Sequence, residues 1–197
     1  MRRASAGARI CSMISPQWLC FMNFFDESSP FYGYSACCFT GHRPQGLPQN
    51  DTAAMKLLRL GLMEAVQLAA AGGVTRFSAG GARGFDMLAA EAVLLLRQRE
   101  SLPLSLFLEL PSPRQPEGWP ASERQRYEHI LAEADGYRYA SFRNDATAMF
   151  ARNRRLVERS DCCIAYLARP SGGTFYTVNY ALTRGLFVYQ LAERLRP

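Results

Sequence analysis

Apolar residues along this chain alternate between two rhythms, short continuous runs and longer stretches at helical spacing. The first run is Ser35–Phe39, ending Cys37-Cys38-Phe39, and further runs fall at 74–78, 104–110, 137–141, 162–167 and 186–190. Short apolar runs bounded by glycine, proline or polar turns read as buried strands. Between the first two, Met55, Leu58, Leu62, Val66 and Ala69 recur at helical spacing behind Asp51, a good capping residue, and Gly72-Gly73 stops the pattern. A second helix is predicted over 85–100, with Leu88, Ala92, Leu95 and Leu96 turned inward. A third opens at the capping-box pattern Ser122-x-x-Gln125 and ends near Ala134. A basic fourth covers 145–159, with Met149, Phe150, Leu156 and Val157 available for burial, and a fifth runs from the turn 169–174 to Arg184. Strands that alternate with helices of this length imply βαβ units and an α/β fold on a parallel sheet.

Residues 1–34 break this rhythm. Arg2, Arg3 and Arg9 precede an apolar stretch, Ile10 to Phe25, that Ser12, Ser15, Pro16, Gln17 and Asn23 interrupt. It lacks the compact apolar core and cleavage site of a signal peptide. The expectation is an extended or misassigned start, poorly ordered, with Met13 or Met22 as alternative initiators. The domain proper is expected over 35–192.

Three strands end in glycine turns: Gly41-His42-Arg43, Gly80-Gly81-Ala82-Arg83-Gly84, and Ser171-Gly172-Gly173-Thr174. In a parallel sheet all strand-to-helix turns share one edge, where ligands of open α/β sheets sit. Two of these turns open helices directly. Their free amides and the positive end of the helix dipole favour an anionic oxygen such as a phosphate. Thr174 adds a hydroxyl, and Arg43 and Arg83 add forked guanidinium contacts. Neither the dinucleotide fingerprint nor a P-loop is present, because G-x-G-x-x-G is absent and no candidate turn carries the P-loop lysine.

Asp86, at the start of a helix, is placed either to cap it or to hold a ribose hydroxyl. Glu91, five residues on, points to the pocket or makes a plain salt bridge. His42 is the one histidine in a candidate turn and titrates near neutrality; His129 is expected to face solvent. Arg152, Arg155 and Arg159 share one helical face, read as solvated, with Arg152-Asn153 nearest the ligand edge. Glu91, Asp86 and His42 are the groups available for acid–base work, and no catalytic pair or metal-ligand cluster emerges from their spacing.

Composition adds little to this picture. Hydrophobic content of 48% and charged content of 20% fit a folded domain. All but one of the 23 basic residues are arginine, Lys56 being the exception, and the formal net charge is +6. That balance permits anionic ligands, but no basic-aromatic stripe demands nucleic acid. The cysteine pairs 37–38 and 162–163 lie in apolar runs where neighbours point to opposite faces, which makes them poor metal ligands and fits free thiols of a cytoplasmic protein. No run has the length of a membrane span.

The block Cys37-Cys38-Phe39-Thr40-Gly41-His42-Arg43-Pro44 is similar to the opening motif of a bacterial domain-of-unknown-function family of the SLOG superfamily. That superfamily includes the DNA-processing protein A core and the Lonely Guy phosphoribohydrolases. The likeness continues through Gly80–Asp86 with Glu91, Trp119-Pro120, Arg126-Tyr127, Arg152-Asn153-Arg154, and Gly172-Gly173-Thr174 with Tyr176-Thr177-Val178. It implies a Rossmann-like three-layer α/β/α sandwich with a mainly parallel sheet of five to six strands. It also implies a nucleotide-derived ligand held by Gly41, Arg43, Gly81, Asp86, Glu91, Arg152, Asn153, Gly172, Gly173 and Thr174, to which the reading of the turns themselves adds His42, Gly80 and Arg83. Two positions depart from the relatives. Arg83 stands where they carry an aliphatic residue, and Thr177 stands where the phosphoribohydrolases carry a glutamate that serves as acid or base.

The leading expectation is therefore a binder, in the manner of a sensor, of a nucleotide-derived small molecule that needs no other cofactor. A hydrolase of nucleoside phosphates or ADP-ribose-like compounds using Glu91 or Asp86 is the alternative, and a single-stranded DNA-binding protein is the third reading. A homo-oligomer is compatible with the sequence, which names neither the ligand nor the assembly.

Overall fold

The computed structural model describes residues 26–195. Six parallel strands form one sheet in the order β4-β3-β2-β1-β5-β6. They are β1 (Ala36–Gly41), β2 (Arg76–Ala79), β3 (Ser105–Leu110), β4 (Gly136–Tyr139), β5 (Cys162–Tyr166) and β6 (Phe187–Gln190). The helices between them are α1 (Thr52–Ala71), α2 (Phe85–Glu100), α3 (Ala121–Glu133), α4 (Ala146–Glu158) and α5 (Gly172–Thr183), with a short α6 (Leu191–Arg194) closing the chain. Helices α1, α2 and α3 pack side by side on one face, and α4 and α5 pack together on the other. The result is the expected Rossmann-like α/β/α sandwich, with every strand pair parallel.

Strand order places the ligand edge. The chain steps outward from β1 to β4, then crosses to the other side of β1 for β5 and β6. The reversal between β1 and β5 opens a crevice at their carboxyl ends, because the connections leave in opposite directions there.

The alternation of side chains explains the two cores. Cys37 and Phe39 of β1, with Cys162 and Ile164 of β5, join the large cluster beneath α1 and α2. Cys38, with Cys163 and Ala165, joins a smaller cluster with Leu156 and Val178 beneath α4 and α5. Register sets Cys37 beside Cys162 and Cys38 beside Cys163. All four are buried and free. Burial pushes the Cys37 thiol well up, and a hydrogen bond with Cys38 followed by burial does the same for Cys163.

Asp51 caps α1 as its sequence indicates, its carboxylate accepting from the Ala54 amide at 2.9 Å. The capping box expected at Ser122 is not used: α3 begins two residues earlier than that box would start it, at Ala121 behind Pro120, which offers no side-chain cap. The proline presets the turn and leaves Ser122 inside the helix. A second correction concerns the domain boundary. Residues 1–25 lie outside the described residues, but Asp26–Tyr34 is part of the packed body. Phe31 is fully buried, its ring 5.5 Å from Phe187 and 5.2 Å from Tyr189. Ser29 Oγ donates to the Leu68 carbonyl at 2.8 Å.

Candidate functional site

The crevice at the switch point holds a cleft of about 330 Å³, walled by the end of β1, the start of α5 and the inner rows of α4. Gly41, Arg43, Asp86, Arg152, Asn153, Gly173 and Thr174 line it, seven of the residues expected from the sequence. They come from segments more than a hundred residues apart, brought together by the shared strand edge. Phe39, Thr40, Ala82, Ala146, Met149, Phe150 and Leu156 complete the wall.

Asp86 and Arg152 form its floor. Arg152 donates from Nη1 to Asp86 Oδ2 at 2.9 Å, and the two side chains are 6% and 7% exposed. Asp145 holds α4 in place for this contact by capping it, its Oδ1 accepting from the Ala148 amide at 2.8 Å. The guanidinium lies directly over Gly80, where any side chain would collide with it. A Cβ there would push the guanidinium aside. Arg152 Nε is buried and has no hydrogen-bond partner among the described residues.

Two amides of the second glycine turn and the helix it opens already have acceptors. The Phe85 amide donates to the His42 carbonyl at 3.1 Å, and the Ala82 amide faces Asp86 Oδ2 at 3.4 Å. Gly84, at φ 96°, brings the turn against the backbone of His42 and Arg43 in a conformation that L side chains rarely adopt. The start of α2 thus carries its own carboxylate, which faces the turn at the Ala82 amide. The start of α5 differs. Ser171 provides no side-chain cap, and the first-turn amides of an α-helix have no intrahelical acceptor. Gly173 and Thr174 sit at that end, on the cleft wall.

The Arg43 side chain stands at the mouth, in an exposed residue, with no ion-pair or hydrogen-bond partner among the described residues. Partial burial lowers its pKa, Asp86 offsets this, and the neighbouring Arg152 and Arg83 lower it further. It remains a cation at any physiological pH. Two guanidinium groups therefore face a single cleft carboxylate.

The remaining expected residues do other work. His42 turns away from the cleft, and its Nε2 accepts from the Ala168 and Arg169 amides at 3.1 and 3.2 Å. That makes the imidazole a clasp between the first and third glycine turns. Glu91 is bound by Arg126 of α3 through Nε and Nη2, so its carboxylate is directed to the α2–α3 contact. Arg83 lies over the Trp119 ring, 5.6 Å from its centroid. Gly81 packs toward Leu110 and Tyr127, and Gly80 and Gly172 shape their turns without lining the cleft. The arginine face of α4 is not solvated as a unit. Arg155 donates to the Tyr139 carbonyl at 3.0 Å, and Arg159 approaches Glu109 at 3.6 Å. Burial raises the Glu109 pKa against the pull of Arg138, Arg159 and Arg155.

The apolar wall was not read from the sequence as a site. Met149 and Phe150 have the spacing of core residues, yet both line the cleft and Phe150 is 44% exposed. The signal was their helical spacing to Asn153, which places all three on one side of α4. Among the described residues no helix is long and apolar enough to cross a membrane. No group of His, Cys, Asp or Glu among them could hold a metal ion.

Comparison with known proteins agrees with the fold. The UPF0398 protein of Bacillus anthracis (strain A0248) is 28% identical over 151 residues, covering 74% of this chain and 82% of that protein. The UPF0398 protein of Bacillus thuringiensis (strain Al Hakam) matches over the same shares at the same identity. Among solved structures, DNA processing protein A from Streptococcus pneumoniae superposes with a TM-score of 0.54 at 17% identity. The match covers 80% of this chain but only half of that one. DNA processing protein A from Helicobacter pylori, described in a study of its single-stranded DNA binding mode, gives 0.53 at 19% identity over 82% and 71%. These likenesses show a shared fold. The model of the YpsA family (described as the YspA SLOG family) matches residues 37–184, three quarters of the chain, and the protein belongs to that family.

Proposed function

We propose that the cleft binds a nucleotide or nucleotide-derived small molecule, its phosphate set between Arg43, Arg152 and the start of α5. The observation that carries this reading is the convergence of Arg43, Arg152, Thr174 and the uncapped start of α5 on one cleft. Guanidinium groups and free helix-start amides are the donors that suit an anionic oxygen. Arg43 and the Thr174 hydroxyl add donors, while Met149, Phe150 and Leu156 offer an apolar surface for a base or sugar.

Binding fits these residues better than turnover. Thr177 is 1% exposed, and its hydroxyl is committed to the Gly173 carbonyl at 2.8 Å. Glu91 is held by Arg126. Among the described residues Asp86 is the one carboxylate on the cleft wall, and it is paired with Arg152. A thermal-shift panel of nucleotides and sugar-phosphate derivatives tests the reading. A ligand at 100 times its Kd stabilises by about 2.7 kcal/mol. For a domain of this size that is roughly 5–11 °C, at about 2–4 °C per kcal/mol. A flat response from folded protein rejects it.

A second reading is single-stranded DNA binding, favoured by the two arginines on the cleft and by the fold shared with the Helicobacter pylori protein. It requires affinity that falls steeply with salt. Absence of binding at low salt rejects it.

A further inference from the structure

Arg154 and Tyr176 belong to the sequence motifs of the site-forming helices, yet neither lines the cleft. They line a second concavity of about 460 Å³ beside it, with Thr147, Phe150 and Ala151. The two spaces share the Phe150 side chain. Helix geometry explains this. Ala146, Met149, Phe150 and Asn153 follow one row along α4 and face the cleft. Thr147, Phe150, Ala151 and Arg154 follow the adjacent row and face the outer space.

The outer space combines aromatic rings with a cation. The Phe150 ring meets Tyr176 edge-on, with centroids 4.8 Å apart and planes at 74°. Tyr176 stacks with Tyr180 at 6.3 Å. Arg154 donates from Nε to Tyr176 Oη at 2.9 Å, which fixes the guanidinium beside the rings. Its two terminal amino groups have no acceptor among the described residues. The exposed Phe150 ring, with the half-buried Tyr176 and an available arginine beside it, suits a stacked nucleobase and the phosphate that follows it.

We propose that the site takes two linked nucleoside units, the first in the cleft and the second across Phe150 on the Phe150–Tyr176 surface, with a phosphate on Arg154. This rests on the nucleotide reading of the cleft. Its separate claim is that the ligand continues past Phe150 and is larger than a mononucleotide.

Titration calorimetry of the full chain with deoxyadenosine 5′-monophosphate, the 5′-phosphorylated deoxyadenylate dimer and the 5′-phosphorylated octamer tests it. The dimer is expected to bind at least about tenfold more tightly than the monomer, the loss typical of removing one base–aromatic stack. Arg154→Ala and, separately, Tyr176→Ala are expected to remove most of that gain and leave monomer affinity unchanged. A gain complete at two units supports a dinucleotide-sized ligand, and one that grows to the octamer supports a strand. Equal affinity for monomer and dimer, or a gain that survives both variants, overturns the inference while the cleft reading stands. Binding of none of the three probes overturns both.

Discussion

Arg152 Nη1 donates to Asp86 Oδ2 at 2.9 Å, tying α4 to the start of α2 across the sheet's switch point. Both residues are 5% exposed. Removing one partner of a buried pair strands the other charge, at a cost of about 3–5 kcal/mol. Arg152→Ala and Asp86→Ala are each expected to lose stability on that scale in urea denaturation. The double variant is expected to lose clearly less than the sum, because the two changes share one interaction.

Gly80 and Gly173 flank the same site but differ in the space around them. A Cβ on Gly80 meets the Arg152 guanidinium, whereas one on Gly173 has only Asn153 Nδ2 nearby, at 3.9 Å. Gly80→Ala is expected to cost about 1–3 kcal/mol and to weaken ligand binding by displacing Arg152. Gly173→Ala is expected to fold with stability within about 0.5 kcal/mol of the parent. Parallel thermal and chemical denaturation checks both.

His42 predicts a pH dependence. Burial, and then the nearby Arg169, lower its pKa from the usual 6.5. Its Nε2 accepts two backbone hydrogen bonds, so the neutral ring is the form that fits. The unfolded chain binds the proton more readily, and stability from this group is therefore present above pH 6.5. It is lost as pH falls toward the lowered folded-state value. Denaturation midpoints of the parent and His42→Gln, measured between pH 5 and 8, are expected to converge at the acid end. Parallel curves across that range contradict the clasp.

Arg43 and Glu91 separate the cleft from its surroundings. Arg43 is exposed and unpartnered among the described residues, so Arg43→Ala is expected to leave stability within about 0.5 kcal/mol. Loss of a charged hydrogen bond of about 1.5–3 kcal/mol is expected to lower nucleotide affinity by roughly 10–150-fold. Glu91→Gln removes a partly exposed ion pair with Arg126 and is expected to leave nucleotide affinity unchanged. Calorimetry on the two variants distinguishes a binding cleft built on arginine from a site that depends on Glu91.

The three glycine turns were legible because strand endings and helix starts are local events, written in neighbouring residues. Their convergence was legible as well, since a parallel sheet puts all such turns on one edge. The division of labour among them was not. His42, Arg83 and Glu91 look as available for a ligand as Arg43 until Ala168, Trp119 and Arg126 arrive from distant segments to occupy them. Phe150 has the spacing of a core residue, and only the docking of α4 against α5 leaves its ring on the cleft wall.

By itself the sequence determined the alternation of strands and helices, the cap at Asp51, the burial of the cysteine pairs and the edge on which a ligand would sit. These follow from periodicity and turn chemistry, which act over a few residues. The tertiary structure alone decided that the Ala82 amide faces Asp86 and the Phe85 amide the His42 carbonyl. It also decided that Arg152 lies over Gly80 with one nitrogen unpaired, and that the start of α5 stays open. A polar group's availability depends on which partners reach it first, and those partners are set by packing between segments far apart in the chain.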